Sequence, residues 1–280
     1  MLNQRILTAI GMAVFFIGSL AYLDPYSFSI LVAVVVIYAA WEWASLSGFR
    51  SYGSKFLYAF FVLGVLVFLG YILGFGKTEP LDLHAAKSLL TWLVSWWAIA
   101  LLWIQGYPSS AVLWGSRYGR ATIGLLVLVP TWMAASILVS LSKGEWLIFV
   151  VVLIVAFADI GAYFVGSKFG KHKLAKNVSP NKTWEGFLGA ILANLFLILF
   201  LGFFLKLSAT GWLTLFLAVI ATVLASVVGD LLESMVKRHR GVKDSGNILP
   251  GHGGILDRRD SLTAALPVFA LIFVYNNFQF

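Results

Sequence analysis

Uncharged apolar runs, each close to the roughly 20 residues that a helix needs to cross a hydrocarbon core, recur from one end of this 280-residue chain to the other. No other feature limits the fold so strongly. A bilayer offers no partner to an unpaired peptide group, so such runs must be helices that satisfy their own backbone. Composition agrees, with 60% of residues hydrophobic, 11% charged, 11 Trp and 23 Phe. A mean hydropathy of +0.91 excludes an ordinary soluble domain. The expected fold class is all-α: a polytopic integral membrane protein with about nine transmembrane helices. They are expected near residues 6–23, 27–45, 56–76, 88–105, 121–141, 146–166, 186–205, 211–229 and 262–278.

Two of these runs need comment. Ile6 to Leu23 resembles a signal peptide, but no small-residue cleavage site follows and the next run begins near Ser27, so a retained helix is expected. The last run has an apolar core of only 14 residues, Leu262 to Tyr275, which leaves a re-entrant helix open. No repeat or soluble module interrupts the pattern. The chain reads as one membrane domain, 1–280, in which 1–145 is mainly scaffold and 146–280 carries the chemistry. The absence of cysteine excludes disulfides, thiolate metal sites and cysteine nucleophiles.

Charge placement sets the orientation. With nine spans, the N-terminus and the even-numbered loops hold Arg5, Arg50, Lys55, Arg117, Arg120, five lysines between 168 and 182, and six basic residues between 237 and 259. Only Lys77, Lys87, Lys143 and Lys206 fall on the other side. The positive-inside rule makes the crowded face cytoplasmic. Two polar loops on that face, 167–185 and 230–261, are where a site is expected, and they open to soluble nucleotides and anionic headgroups.

In the second loop, Asp230, Glu233, Ser234, Lys237 and Arg238 fall on one stripe if the eighth helix continues. An amphipathic extension with a Glu233–Lys237 pair is the plainer alternative. Gly251, Gly253 and Gly254, around His252, permit close approach of backbone N–H groups to a ligand, although a tight turn would need the same residues. Asp257 and Asp260, three apart, would project from the first turn of the last helix and suit magnesium, unless they only cap it. Arg258 and Arg259 are placed to hold phosphate oxygens.

In the first loop, Ser179, Asn181, Lys182 and Thr183 precede a helix and offer an anion site, with an ordinary capping box as the alternative. Asp159, about two turns inside its span, is a functional candidate by its depth. Glu42, between Trp41 and Trp43, reads as interfacial. His172, His239 and His252 lack ligand spacing, so zinc is not expected.

The run from Ser234 to Asp260, "SMVKRHRGVKDSGNILPGHGGILDRRD", resembles the signature of the phosphatidate cytidylyltransferase family, the CDP-diacylglycerol synthases. Every fixed position of that signature is filled, Lys243 and Asp244 included. "SPNKTWEG" and "DIGAYFVGSKFGKHKL" resemble two further elements of the family. The resemblance implies transfer of CMP from CTP to phosphatidic acid with release of pyrophosphate. It implies Mg²⁺, with a second cation open, held by Asp257 and Asp260 with Asp230 as a third carboxylate. Lys237, Arg238, Lys243 and Arg258 would clamp phosphates, and His252 would position them without abstracting a proton. The implied partners are CTP and membrane phosphatidic acid and not nucleic acid; a homodimer is open. The implied location is a bacterial-type inner membrane. A CTP-dependent enzyme acting on a polyprenol, or a transporter with a polar gate, are the alternatives. The acid pattern of CDP-alcohol phosphotransferases is absent.

Overall fold

The computed structural model describes residues 2–76, 81–246, 248 and 253–276, with side chains from residue 7 onward. Ten helices follow in chain order: α1 Leu2–Tyr22, α2 Pro25–Ser47, α3 Tyr52–Leu73, α4 Leu83–Gln105, the short α5 Ala111–Trp114, α6 Arg117–Val139, α7 Gly144–Phe169, α8 Trp184–Phe204, α9 Ala209–His239 and α10 Asp260–Tyr275. Each expected span coincides with one of them. Among the described residues seven helices can cross a membrane by length and composition, namely α2, α3, α4 and α6 to α9, whereas Leu7–Tyr22 of α1 and the whole of α10 are apolar but shorter. Between α7 and α8 lies an antiparallel hairpin, β1 Lys173–Ala175 and β2 Ser179–Thr183.

Capping chemistry sets the helix ends more finely than hydropathy does. Asp24 accepts from the N–H groups of Tyr26 and Ser27, with Pro25 opening α2. Ser51, Asp82, Ser116 and Ser208 cap α3, α4, α6 and α9 in the same way. Each of these helices therefore starts two to five residues before the expected span, because a backbone ladder does not need apolar side chains to form. The largest departure is α9, which runs on to His239, ten residues past the expected end.

The weakest apolar segment turns out to be central. Helix α10 packs against α4, α6, α7 and α9, and Ala264, Ala265, Phe269 and Ala270 are fully buried. A helix enclosed by protein has no hydrocarbon thickness to match, which accounts for its length of 16 residues. Helix α6 is similarly enclosed. Trp43 Nε1 donates to the Arg120 carbonyl (2.8 Å) and Tyr58 hydroxyl to that of Ala121 (2.8 Å), fastening α2 and α3 to its first turn. The outer faces of α1, α3, α4, α7 and α8 carry the exposed apolar side chains that meet lipid, among them Phe60, Phe68, Leu102, Phe164 and Phe196.

Within lipid, helices associate through close packing of small residues and not through the hydrophobic effect. Helices α7 and α8 show this most clearly. A Cβ on Gly189 would lie 2.5 Å from the Gly161 carbonyl oxygen and 2.6 Å from Val165 Cβ. Gly189→Val should force the two helices apart and cost about 1–3 kcal/mol, read as a lowered Tm in detergent. Gly64→Val, where a Cβ meets nothing within 4 Å, should leave Tm unchanged.

Candidate active site at one end of the bundle

Helix α9 is too long for the bilayer. Its 31 residues span about 46 Å at 1.5 Å per residue, against a hydrocarbon core of roughly 30 Å. Its last turns therefore stand clear and carry Asp230 to His239. The β1–β2 hairpin leans on this extension: Lys182 forms an ion pair with Asp230, and Arg238 Nε donates to the Val178 carbonyl (3.3 Å). The two polar loops, 48 residues apart at Lys182 and Asp230, thus meet at the same end of the bundle.

Local chemistry shapes the hairpin. Thr183 caps α8 by accepting the Gly186 N–H (3.1 Å). Glu185 does not complete a capping box. It reaches back to the N–H groups of Lys171 (3.1 Å) and His172 (3.2 Å), and to His172 Nδ1 (2.6 Å). Asn177 Nδ2 donates to the Tyr107 carbonyl (3.2 Å), latching the hairpin tip beside α4.

Under the hairpin lies a cavity of about 490 Å³ whose polar lining includes Asp159, Ser179, Asn181, Lys182, Asp230 and Ser261. Ala158, Tyr163 and Phe187 line its apolar side toward α7 and α8. The charge of Asp230 acts on both Asp159 and Asp260, and the Asp260 backbone packs against Gly229. Asp230 also accepts from the Ser234 hydroxyl (3.2 Å). Three carboxylates from α7, α9 and α10 therefore surround one lysine.

A second network lies behind the cavity. Lys237 Nζ is 3.1 Å from Glu233 Oε1 and 2.8 Å from Asp257 Oδ1. Asp257 further accepts from the N–H groups of Ser245 (2.9 Å) and Gly254 (2.8 Å). Burial pushes the Asp257 carboxyl up, but the Lys237 ammonium and these backbone donors outweigh burial and hold it below the usual carboxylate range. Its contribution to stability is thus fully present at neutral pH and is lost only as pH falls through that lowered value.

Glu42, only 3% exposed, completes this network from α2. It accepts from the N–H groups of Ile255 (3.1 Å) and Leu256 (3.0 Å), and the Ser245 hydroxyl lies between it (3.3 Å) and Asp257 (3.0 Å). Sequence reading missed this role by treating Glu42 as interfacial. The available signal was the one that marked Asp159, a carboxylate inside an otherwise uncharged run.

Several expected placements change. Asp257 and Asp260 do not share the first turn of the last helix: Asp257 sits in a 3-10 turn, Leu256–Arg258, and α10 begins at Asp260. The stripe on α9 divides, with Asp230 and Ser234 toward the cavity and Glu233 and Lys237 turned inward. Gly253, at φ +84°, and Gly254 admit the protein's own carboxylates, since a Cβ on Gly254 would lie 2.6 Å from Glu42 Oε2. Gly251 and His252 lie outside the described residues. Arg238, Lys243, Asp244 and Arg258 are exposed around the rim.

Among the described residues, no three His, Cys, Asp or Glu side chains gather as a metal site. The neighbouring Asp230 and Asp260 suit a cation that takes one or two carboxylates and completes its shell with substrate phosphates and water. Asp257, whose oxygens already serve Lys237, Ser245 and Gly254, fits that task less well.

Comparison with known proteins places this geometry in context. Residues 3–276 match the model of the cytidylyltransferase family. The chain is 41% identical over 272 residues to a Pseudomonas aeruginosa protein named phosphatidate cytidylyltransferase, covering 97% of each. A Haemophilus influenzae protein of the same name is 38% identical over 294 residues, covering 98% of this chain and 99% of that one.

The role of Glu42 can be measured without any substrate. Glu42→Ala orphans two buried N–H groups, each costing about 1–3 kcal/mol. Amide exchange at Ile255 and Leu256 should quicken by about tenfold or more, while α3 amides keep their protection; unchanged exchange at 255 and 256 would show that Glu42 does not fasten the segment.

Proposed function

The chain belongs to the cytidylyltransferase family, and from its site we propose that it is a phosphatidate cytidylyltransferase, transferring CMP from CTP to phosphatidic acid. The observation that carries this reading is the cavity of about 490 Å³, which sets Lys182 with Asp159 and Asp230 beside an apolar wall at one end of the bundle. A lipid phosphate can enter it from the side and a nucleotide from the rim. Such a site has no use for a soluble acceptor.

In the reaction, an oxygen of the lipid phosphate monoester attacks the α-phosphorus of CTP. A new P–O bond forms as the bond to pyrophosphate breaks. The nucleophile is already anionic at neutral pH, so the protein's task is to hold two polyanions together and offset their repulsion. Lys182 is the cation inside the cavity, and its pairing with Asp230 keeps it oriented until phosphate replaces the carboxylate. Asn181 and Ser179 are neutral donors that orient oxygens without adding charge. Lys243, Arg238 and Arg258 draw the triphosphate to the rim.

Asp230 and Asp260 would hold Mg²⁺, which when bound neutralises charge on the attacked phosphate and the leaving group. Asp159 completes the acidic side of the cavity. Asp257 is assigned to fastening Ser245 and Gly254 to Lys237. With 16 basic residues crowded on one face by the positive-inside count, the cavity faces the cytoplasm of a bacterial-type inner membrane, where CTP is made.

The test uses purified protein, labelled CTP and either phosphatidic acid, diacylglycerol or polyprenol phosphate. Label should enter lipid only with phosphatidic acid and should cease on chelation, returning with Mg²⁺. Asp230→Asn and Asp260→Asn should each lower kcat by about 10²-fold or more with little change in Tm. Label in lipid without phosphatidic acid, or full activity in both variants, would refute the respective assignments.

A further inference from the structure

A second cavity, of about 430 Å³, lies on the far side of the wall formed by Leu174, Phe187 and Val227, the three side chains that line both cavities. Its own lining is almost wholly apolar, with Leu101 and Ile104 of α4 facing Leu224 and Val228 of α9. The polar exceptions, Gln105, Lys176 and Asn177, are confined to the end under the hairpin. Toward lipid the groove is flanked by exposed Leu101, Trp184 and Leu224. At the other end the hairpin closes it, held down by Asn177 on Tyr107 and by Val178 under Arg238.

This polarity gradient matches one kind of occupant. An apolar trough open to the bilayer, with a lysine and two amides at its headgroup end, fits a lipid with an anionic head. The three-residue wall links it to the cavity that receives phosphate. Resting on the reaction proposed above, we infer that the groove between α4, α8 and α9 holds one acyl chain of the phosphatidic acid substrate, with Phe187 and Leu174 as the divide over which the glycerol passes. The groove then selects for chain length and holds the phosphate in register with CTP.

A residue that fills the groove must hurt long-chain lipid more than short-chain lipid. Leu224→Trp on α9 and Leu101→Trp on α4 reach it from opposite sides, so a folding defect in one does not silence the test. Each is assayed with dioleoyl and with dihexanoyl phosphatidic acid in the same detergent micelles. The ratio of kcat/KM for long over short chains should fall by about tenfold, the order of losing methylene contacts in an apolar pocket. Phe196→Trp, lipid-facing on α8 at 72% exposed and outside the groove, should leave the ratio unchanged. An unaltered ratio in both groove variants of an active enzyme overturns the subsite alone. Failure of the unmodified protein to label either phosphatidate strikes the reaction itself, and the subsite with it.

Discussion

The site depends on one buried cation. Lys237 stands 3.1 Å from Glu233 on its own helix and 2.8 Å from Asp257 across a loop, in a place where water cannot solvate any of the three. Removing one partner from such an arrangement costs about 3–5 kcal/mol, because an uncompensated charge stays behind. That cost makes the position of Asp257 almost obligatory once α9 has formed. From Asp257 the constraint spreads to Ser245 and Gly254, and through Ser245 to Glu42 on α2. Ser245 and residues 254–256 are thereby held against both the preceding α9 and the distant α2.

The bilayer explains why the charges are arranged this way. Ionised groups near the hydrocarbon boundary are tolerated when they face one another or a wet cavity, and the two networks here meet one or the other condition. Lys182 neutralises Asp230 on the cavity wall, while Asp159 on α7 stays exposed to the cavity. The enclosed α10 serves the same end. Surrounded by α4, α6, α7 and α9, it presents Asp260 from a rigid support, and its shortness costs nothing because protein and not lipid covers it.

Legibility in the sequence followed the range of the interactions involved. Helix α8 and the cap at Thr183 are local, and were readable from residues within one turn of each other. The continuation of α9 to His239 was readable as a stripe, but which faces its members would take was not: Ser234 and Glu233 are neighbours in sequence and point to different networks. The glycines 253 and 254 were readable as a point of close backbone approach. What approaches them, the carboxylates of Glu42 and Asp257, was hidden, since a phosphate and a carboxylate ask the same thing of a glycine turn. Glu42 was the clear omission, because its partners lie more than 200 positions away.

By itself, then, the sequence determined that the chain is a bundle of membrane helices and which two loops gather its polar residues. Those follow from hydropathy, helix periodicity and the cost of moving charge through lipid, all of which act locally. Only the tertiary structure decided that Asp230 and Asp260 stand together while Asp257 turns away, that Lys182 reaches across to α9, and that the short α10 is enclosed by its neighbours. These are matters of which surfaces meet, and small residues such as Gly189 and Gly229 set them by how closely they let two backbones approach.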